Sequence, residues 1–252
     1  MEFLVFQLQA PLAAWGDTAV GEYRGSYDYP GESALVGLLA AALGIRREDE
    51  AAHLELARGY GFAVGVQGEG RLLRDYHTAQ VPGRTALKGR PHRTRRDELV
   101  VPKEKLHTVL SSRDYRQNVA YLVAVQPSAQ SPYSLKDLAV ALAEPRFTLY
   151  LGRKSCPLAV PLSAEVIAAP DARQAVEQYR SSLVERTQKY VQSRERFPME
   201  LPAPLNRLVW GERVTSGMEA ELTVTRKDRL IRRAGWQFGD RLEHVALLAQ
   251  ED

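Results

Sequence analysis

The chain has 252 residues, 44% hydrophobic and 26% charged, with a formal net charge of +3; this balance excludes a disordered, collagenous or disulfide-scaffold protein, and the length allows one large or two small domains with a buried core. One cysteine, Cys156, rules out an internal disulfide, and no Cys/His cluster has zinc spacing, so neither a structural metal nor a cofactor is expected. The longest strongly apolar run, Ala34 to Leu43, is about half of the roughly 20 residues that span a bilayer, and Met1-Glu2-Phe3 lacks the basic stretch of a secretory signal, which predicts a cytoplasmic protein with no membrane contact.

Phe3 to Gln9 reads as a first, mostly apolar strand. The loop from Ala10 to Glu32 is rich in Gly, Pro, Tyr and Asp and long enough to suggest function or a cover over a surface. Ser33 as N-cap and Gly44 as left-handed stop bracket a helix that is apolar nearly all round and so must be buried. Gly37 in its middle costs about 1 kcal/mol relative to alanine, which predicts close packing against a strand. Tyr60 to Gln67 is a second strand, and Leu72 to Thr78 hairpins from it. A basic excursion follows, with Pro82-Gly83, Lys88-Gly89 and Arg90-Pro91 as turn signals.

Ala120 to Gln126 is the next strand. Ser134 and Asp137 have capping-box spacing before a helix with Leu135, Leu138 and Leu142 on one face. Phe147 to Leu151 reads as the fourth main strand. The order βαββαβ predicts an α+β, ferredoxin-like (RRM-like) domain over residues 1–158, an antiparallel sheet backed by two helices, a frame common among RNA-recognition modules. Residues 159–252 form a smaller C-terminal region. There Asp171 caps a long helix with Ala175, Val176, Tyr179, Leu183 and Tyr190 on one stripe, and a linker with Pro198, Pro202 and Pro204 follows. Two strands, Glu219 to Thr225 and Glu243 to Leu248, flank a second basic cluster of Arg226, Lys227, Arg229, Arg232 and Arg233.

Charge is unevenly divided. Arg71 to Arg116 carries twelve Lys or Arg against five Asp or Glu, a net of +7 that leaves −4 for the rest of the chain. Such asymmetry points to an anionic partner held at one place, and the interleaved Tyr76, His77, His92, His107 and Tyr115 favour nucleic acid over a merely solvated hairpin.

Four stretches in order resemble one family: L-Q-A-P-L-A-A-W-G (Leu8 to Gly16), Y-P-G-E-S-A-L-V-G-L-L-A-A-A-L-G-I (Tyr29 to Ile45), R-D-Y-H-T (Arg74 to Thr78) and P-R-F-T-L-Y-L-G-R-K-S-C-P-L (Pro145 to Leu158). They are similar to the CasD family of the RAMP superfamily, subunits of the type I-E CRISPR surveillance complex Cascade that hold the 5′ handle of the crRNA. The resemblance implies a non-catalytic subunit with a protruding β-hairpin thumb, here about residues 77–116, that grips the handle against the domain. It also implies contacts with the CasC backbone and the large subunit CasA, and target DNA met only through the assembled complex. The family's Thr and basic residue before the first helix are replaced by Gly31-Glu32, and Glu32 would repel a phosphate and complement the helix dipole instead.

The thumb cations Arg84, Lys88, Arg90, Arg93, Arg95 and Arg96, with Arg113 and Arg116 at the end of the basic segment, are the expected phosphate partners. Tyr76 and His77 at the thumb's base either contact a handle base or alternate between core and surface. Gly152, Arg153 and Lys154 read as a nest for a phosphate or as a turn with solvated charges. Trp15 either anchors a neighbouring subunit or caps its own core. Cys156 is expected to be buried and inert. The competing reading is a metal-independent endoribonuclease with His77, Tyr76 and Lys88 as catalytic groups.

Overall fold

Along Glu2–Ala13, Phe3 and Val5 alternate with Leu4, Phe6 and Leu8, and all five are fully buried. A strand with no exposed face has to lie between two layers. One core packs Leu4, Phe6 and Leu8 against helices on one side of the sheet, and a second packs Phe3 and Val5 against a long helix on the other.

The computed structural model describes residues 1–17, 19, 21–90, 93–193, 201–232, 235 and 237–248, so His92, Pro91, Pro198 and Arg233 lie outside the described residues. In chain order the elements are β1 (Glu2–Ala13), β2 (Trp15–Gly16), β3 (Tyr23–Arg24), β4 (Ser26–Tyr27), α1 (Glu32–Leu43), α2 (Glu50–Gly59), β5 (Tyr60–Gly68) and β6 (Arg71–Pro82). Then come α3 (Arg95–Leu99), β7 (Leu106–Pro127), α4 (Leu135–Ala143), β8 (Glu165–Ala168), α5 (Ala172–Ser193), β9 (Arg207–Gly211), β10 (Leu222–Arg232) and β11 (Gln237–Leu247). Short 3-10 segments occupy Arg84–Leu87 and Lys103–Lys105.

Nine strands form one large, predominantly antiparallel sheet in the order β10-β11-β9-β5-β7-β1-β8, with β6 and the short parallel β3 also paired to β7, while β2 and β4 pair as a separate two-stranded sheet. α1 and α4 cover one face and α5 the other. Among the described residues no helix is long and apolar enough to cross a membrane.

Several elements follow the expected local chemistry. Ser134 and Asp137 close a reciprocal capping box on α4, Asp171 accepts from the Gln174 amide at the start of α5, and Gly44 ends α1 in the left-handed region. Other elements differ. The N-cap of α1 is Gly31, not Ser33, so Glu32 takes the first helical position. Gly37 is not packed against a strand, because a Cβ there would meet nothing within 4 Å. Phe147 to Leu151 is a loop rather than a strand, joined to Pro157 by one bridge at Tyr150. Its first amides serve a different end: those of Arg146 and Phe147 donate to the Ala42 and Ala41 carbonyls, satisfying the end of α1. The strand beside β1 is β8 instead, paired from Glu2↔Ala168 to Val5↔Glu165.

Beyond α5, β9 pairs with β5 and β11 with β9, extending the central sheet. Arg226, Lys227, Arg229 and Arg232 of the second basic cluster do not separate two strands as expected but lie within β10.

β7 is 22 residues long, far beyond the expected Ala120 to Gln126. Its second half lies between β1 and β5, and its first half leaves the sheet to pair with β6 from Arg71↔Gln117 to Pro82↔Leu106. β5 and β6 are separated by Glu69 and Gly70. Gly70 takes φ +69°, and a side chain there would collide with the Gln117 carbonyl. Glycine is what lets the two strands follow β7 as one ribbon.

Candidate nucleic-acid interface

The ribbon is fastened where it leaves the sheet. Asp114, 2% exposed, receives Arg74 through two hydrogen bonds (Nε to Oδ1 2.8 Å, Nη2 to Oδ2 3.1 Å) and accepts a third from the Tyr23 hydroxyl. The Arg74 guanidinium lies 5.1 Å from the Tyr23 ring centroid and also donates to its hydroxyl. These bonds hold the Asp114 carboxyl below its ordinary range, the Arg74 contribution being the largest, and the same carboxylate pushes the Tyr23 phenol up. Arg74 therefore has a structural partner, and β3 is tied to the ribbon through it.

Above this point Tyr76 pairs with Ser112 and His77 with Ser111, on opposite faces of the ribbon. Neither enters the core: Tyr76 is 64% exposed, and His77 is exposed with Nδ1 3.7 Å from the Asp75 carboxylate. Lys88 follows the 3-10 segment beyond the last β6–β7 pair, Pro82↔Leu106, while Tyr76 and His77 lie lower on opposite faces of the ribbon. Among the described residues no group of three His, Cys, Asp or Glu is placed to hold a metal ion.

The tip is a small folded cap. Thr94 and Asp97 form a reciprocal capping box on α3, and Arg95 pairs with Glu98 at 2.8 Å and donates to the Gln80 carbonyl. Arg84, Lys88, Arg90, Arg93 and Arg96 are exposed around it, and Arg95 is exposed despite its bonds. Arg113 and Arg116 sit lower, half-buried beside β3 and β1. The Arg116 Nε is enclosed and has no hydrogen-bond partner among the described residues.

Arg153 is not a solvated charge. It donates to the carbonyls of Asp114 (3.2 Å) and Arg24 (3.3 Å) and stacks 4.5 Å from the Tyr115 centroid, bracing the 152–155 turn against the ribbon. Gly152 (φ +83°) permits a close backbone approach, but to the Ala14 carbonyl of this chain, where a Cβ would collide. Lys154 is exposed beside it. Trp15 is 3% exposed, with its indole donating to the Tyr121 hydroxyl at 3.2 Å and its ring edge-on to Tyr121. The indole thus caps the chain's own core and is not presented to a neighbour, a correction to its expected interface role. Cys156 is buried, and burial pushes its thiol up, which suits an inert core residue.

In the second basic cluster Arg226 is buried, while Lys227, Arg229 and Arg232 are exposed, the last two beside acidic partners. Arg226 lies 3.4 Å from the Tyr27 centroid and 3.3 Å from Glu243, Arg229 pairs with Glu212 at 2.7 Å, and Arg232 approaches Glu50 at 3.7 Å. Glu32 belongs to the same network: it accepts from Arg213 at 2.7 Å and lies 3.9 Å from Arg241, which also bonds Asp228 and Glu243. Burial raises the Glu32 carboxyl above its ordinary value, opposed by Arg213 and Arg241. The acid at the start of α1 thus anchors the C-terminal strands to the helix.

A groove of about 1250 Å³ lies beside this network. Its walls are the Ala34, Gly37 and Ala41 side of α1, the segments around residues 14–27 and 147–154, and β10. The first, second and fourth of the stretches quoted from the sequence line the groove, and Arg74 of the third secures the ribbon through Asp114. Sequence reasoning missed the groove because its residues come from distant segments; mid-helix Gly37, expected to pack against a strand, lines it instead.

A family model described as "CRISPR-associated protein (Cas_Cas5)" matches residues 3–241. The CRISPR system Cascade subunit CasD of Escherichia coli (strain K12) is 31% identical over 186 residues, covering 70% of this chain and 76% of that protein. In structure, a chain of a CRISPR RNA-guided surveillance complex superposes with a TM-score of 0.57 at 24% identity, covering 97% of this chain and 89% of its own. A second, from "Crystal structure of Cas protein", has a TM-score of 0.53 at 23% identity, covering 98% and 94%. At these identities the two structures speak for the fold alone.

Proposed function

The chain belongs to the CRISPR-associated Cas5 family, and on that premise we propose that it is a non-catalytic subunit of a Cascade-type surveillance complex that binds the 5′ handle of crRNA and caps one end of the assembly. The β6–β7 ribbon is the family's thumb. The observation that carries this reading is the ribbon's construction: a base locked by Asp114, Arg74 and Tyr23 supports a tip surrounded by exposed arginines. A braced stem with an exposed cationic head suits a polyanion, since phosphate contacts fix position and aromatic or base-edge contacts select sequence. Tyr76 on one face and His77 on the other are the residues for base contact, and Arg84, Lys88, Arg90, Arg93, Arg95, Arg96, Arg113 and Arg116 those for phosphates.

We read the four strands β8, β1, β7 and β5 with α1 and α4 as a ferredoxin-like core, supported by their order and alternating direction. On that reading the core runs past the expected boundary at residue 158, because its fourth strand is β8 at Glu165–Ala168; residues 1–158 carry most of the RNA-binding part, and the smaller C-terminal region begins after β8. CasC and CasA are the expected protein neighbours, target DNA is met through the assembled complex, and the setting is cytoplasmic.

The test is charge reversal of Arg93, Arg95 and Arg96 to Glu, followed by assembly with the other subunits. Loss of crRNA from the complex with an unchanged melting temperature is the expected outcome. Full retention of crRNA would refute the thumb assignment.

A further inference from the structure

One edge of the large sheet is defended along only half its length. Among the described residues β10 pairs with β11 and with no other strand. An open edge is a template for another chain, and proteins blunt it with charges, bulges or short strands. β8, at the opposite edge, is four residues long. In β10 the defences lie in the second half: Lys227, Arg229 and Arg232 are exposed, and the ladder to β11 slips between Arg226 and Arg229 and again between Leu230 and Arg232. The helices also meet β10 there, with Asp228 against Gly31 and Arg232 approaching Glu50. The first half, Leu222-Thr223-Val224-Thr225-Arg226, keeps an unbroken register with β11. It holds no glycine or proline, and its one charge, Arg226, is buried against Tyr27 and Glu243. Leu222 is 56% exposed, and Thr223 and Thr225 are exposed with it.

The residues around this first half are complementary to themselves. Glu219 and Glu221 precede it, Lys227 and Arg229 follow it, and all four are exposed. Two copies laid edge to edge in antiparallel register about Val224 set Leu222 opposite Arg226, Thr223 opposite Thr225 and Val224 opposite itself. Thr–Thr and opposite-charge pairs across strands favour such a ladder. The same register sets Glu221 beside Lys227 twice, once at each end, whereas an in-register parallel pairing would place like charges together. Lys227 has no ion pair among the described residues. Glu221 accepts from the Leu247 amide at 3.2 Å, a bond that brings it no positive charge, and Arg229 meets Glu212 at 2.7 Å in a bridge half-exposed to water.

We propose that this edge joins two copies of the chain, the first half of β10 in each pairing antiparallel across a two-fold axis so that the sheet continues from one molecule into the next. A contact of this symmetry requires a surface that is complementary to itself, which the Thr-Val-Thr centre and the order of the flanking charges supply. The slip after Arg226 ends the regular edge, so the shared ladder is the segment from Leu222 to Arg226 in each copy. Interfaces this short fall at the low end of the size range, where association is weak and reversible. The contact uses the C-terminal edge of the sheet and no residue of the ribbon, so it stands or falls apart from the RNA-binding reading.

Sedimentation velocity of the full chain, freed of nucleic acid, reads the association over a concentration series, and hydrogen exchange at low and high concentration locates it. Dimers should appear as concentration rises, with slowed exchange from Leu222 to Arg226. Lys227→Glu should weaken dimerisation by about tenfold, because two opposite-charge pairs become like-charge pairs. Combining it with Glu221→Lys should restore the dimer, an outcome that a merely structural role for either side chain does not produce. Glu221→Lys also removes the acceptor of the Leu247 amide. Should the doubly substituted chain melt lower, Thr225→Lys decides instead: it places a charge inside the ladder and should abolish the dimer while leaving the melting temperature of the monomer unchanged. Monomers at every concentration would overturn the proposal. So would dimers with unchanged exchange from Leu222 to Arg226, or dimers indifferent to both Lys227→Glu and Thr225→Lys. Exchange that slows there only after assembly with other subunits would give the edge to one of them and refute pairing between copies.

Discussion

The two halves of β7 are one strand in two environments. From Val119 to Val125 it lies between β1 and β5 with nearly every side chain buried, and from Leu106 to Ser111 it is paired only with β6 among the described residues and faces solvent on both sides. The first environment supplies stability through apolar burial, and the second supplies reach through a backbone that inherits its direction from the first. Burial and availability to a polyanion exclude each other, so a single long strand divides them along its length.

The sharpest break of this comparison is a pair of truncations. Leu122→Ala in the buried half should destabilise the protein by about 2–5 kcal/mol, whereas Val109→Ala in the free half should stay within about 0.5 kcal/mol. Urea denaturation of both variants measures the difference; similar losses would mean that the ribbon is packed more tightly than its exposure indicates.

The junction between the halves comes next. Asp114→Asn removes the negative charge and one of the two acceptor oxygens that hold Arg74 and Tyr23. Hydrogen exchange should then quicken at Tyr23, Arg24 and the adjoining ribbon, with Val123 and its neighbours unchanged. Exchange that quickens throughout the sheet would show that the ribbon's base and the core open together.

A smaller effect separates two carboxylates by sign. The folded-state pKa of Asp114 is lowered from its ordinary 3.8, so its ionised form stabilises the fold above that value, and the contribution fades as pH falls through the folded pKa. The folded-state pKa of Glu32 is raised from 4.5, so its contribution is fullest below that value and is lost as pH rises through the folded pKa. Melting temperatures across roughly pH 3 to 7 should show wild type gaining on Asp114→Asn as pH rises and losing ground to Glu32→Gln. Parallel curves would contradict the assigned environments.

The same division explains what the sequence could reveal. The buried half of β7, the apolar β5 and the capped starts of α4 and α5 follow period and capping rules that need no tertiary knowledge. The free half of β7 mixes His, Thr and Ser with Leu and Val and has no apolar face, so its strand character comes from pairing with β6 rather than from burial. Phe147 to Leu151 has a strand's composition, yet its amides are drawn to the end of α1, and the shorter Glu165–Ala168 takes the place beside β1. Charge counting located the basic ribbon but could not separate Arg153, bonded to backbone carbonyls, from Arg93, exposed at the tip. Glu32 stood out as unusual at a helix start, while its partners Arg213 and Arg241 lie about two hundred residues away and only the fold brings them together.

The most direct measurement uses end-labelled cognate repeat RNA incubated with the purified chain in EDTA and run on native and denaturing gels in parallel. A shift that weakens steeply with salt, over RNA that remains full length, is the expected result. A discrete cut that disappears in His77→Ala would contradict the non-catalytic clamp and make the ribbon part of a processing nuclease.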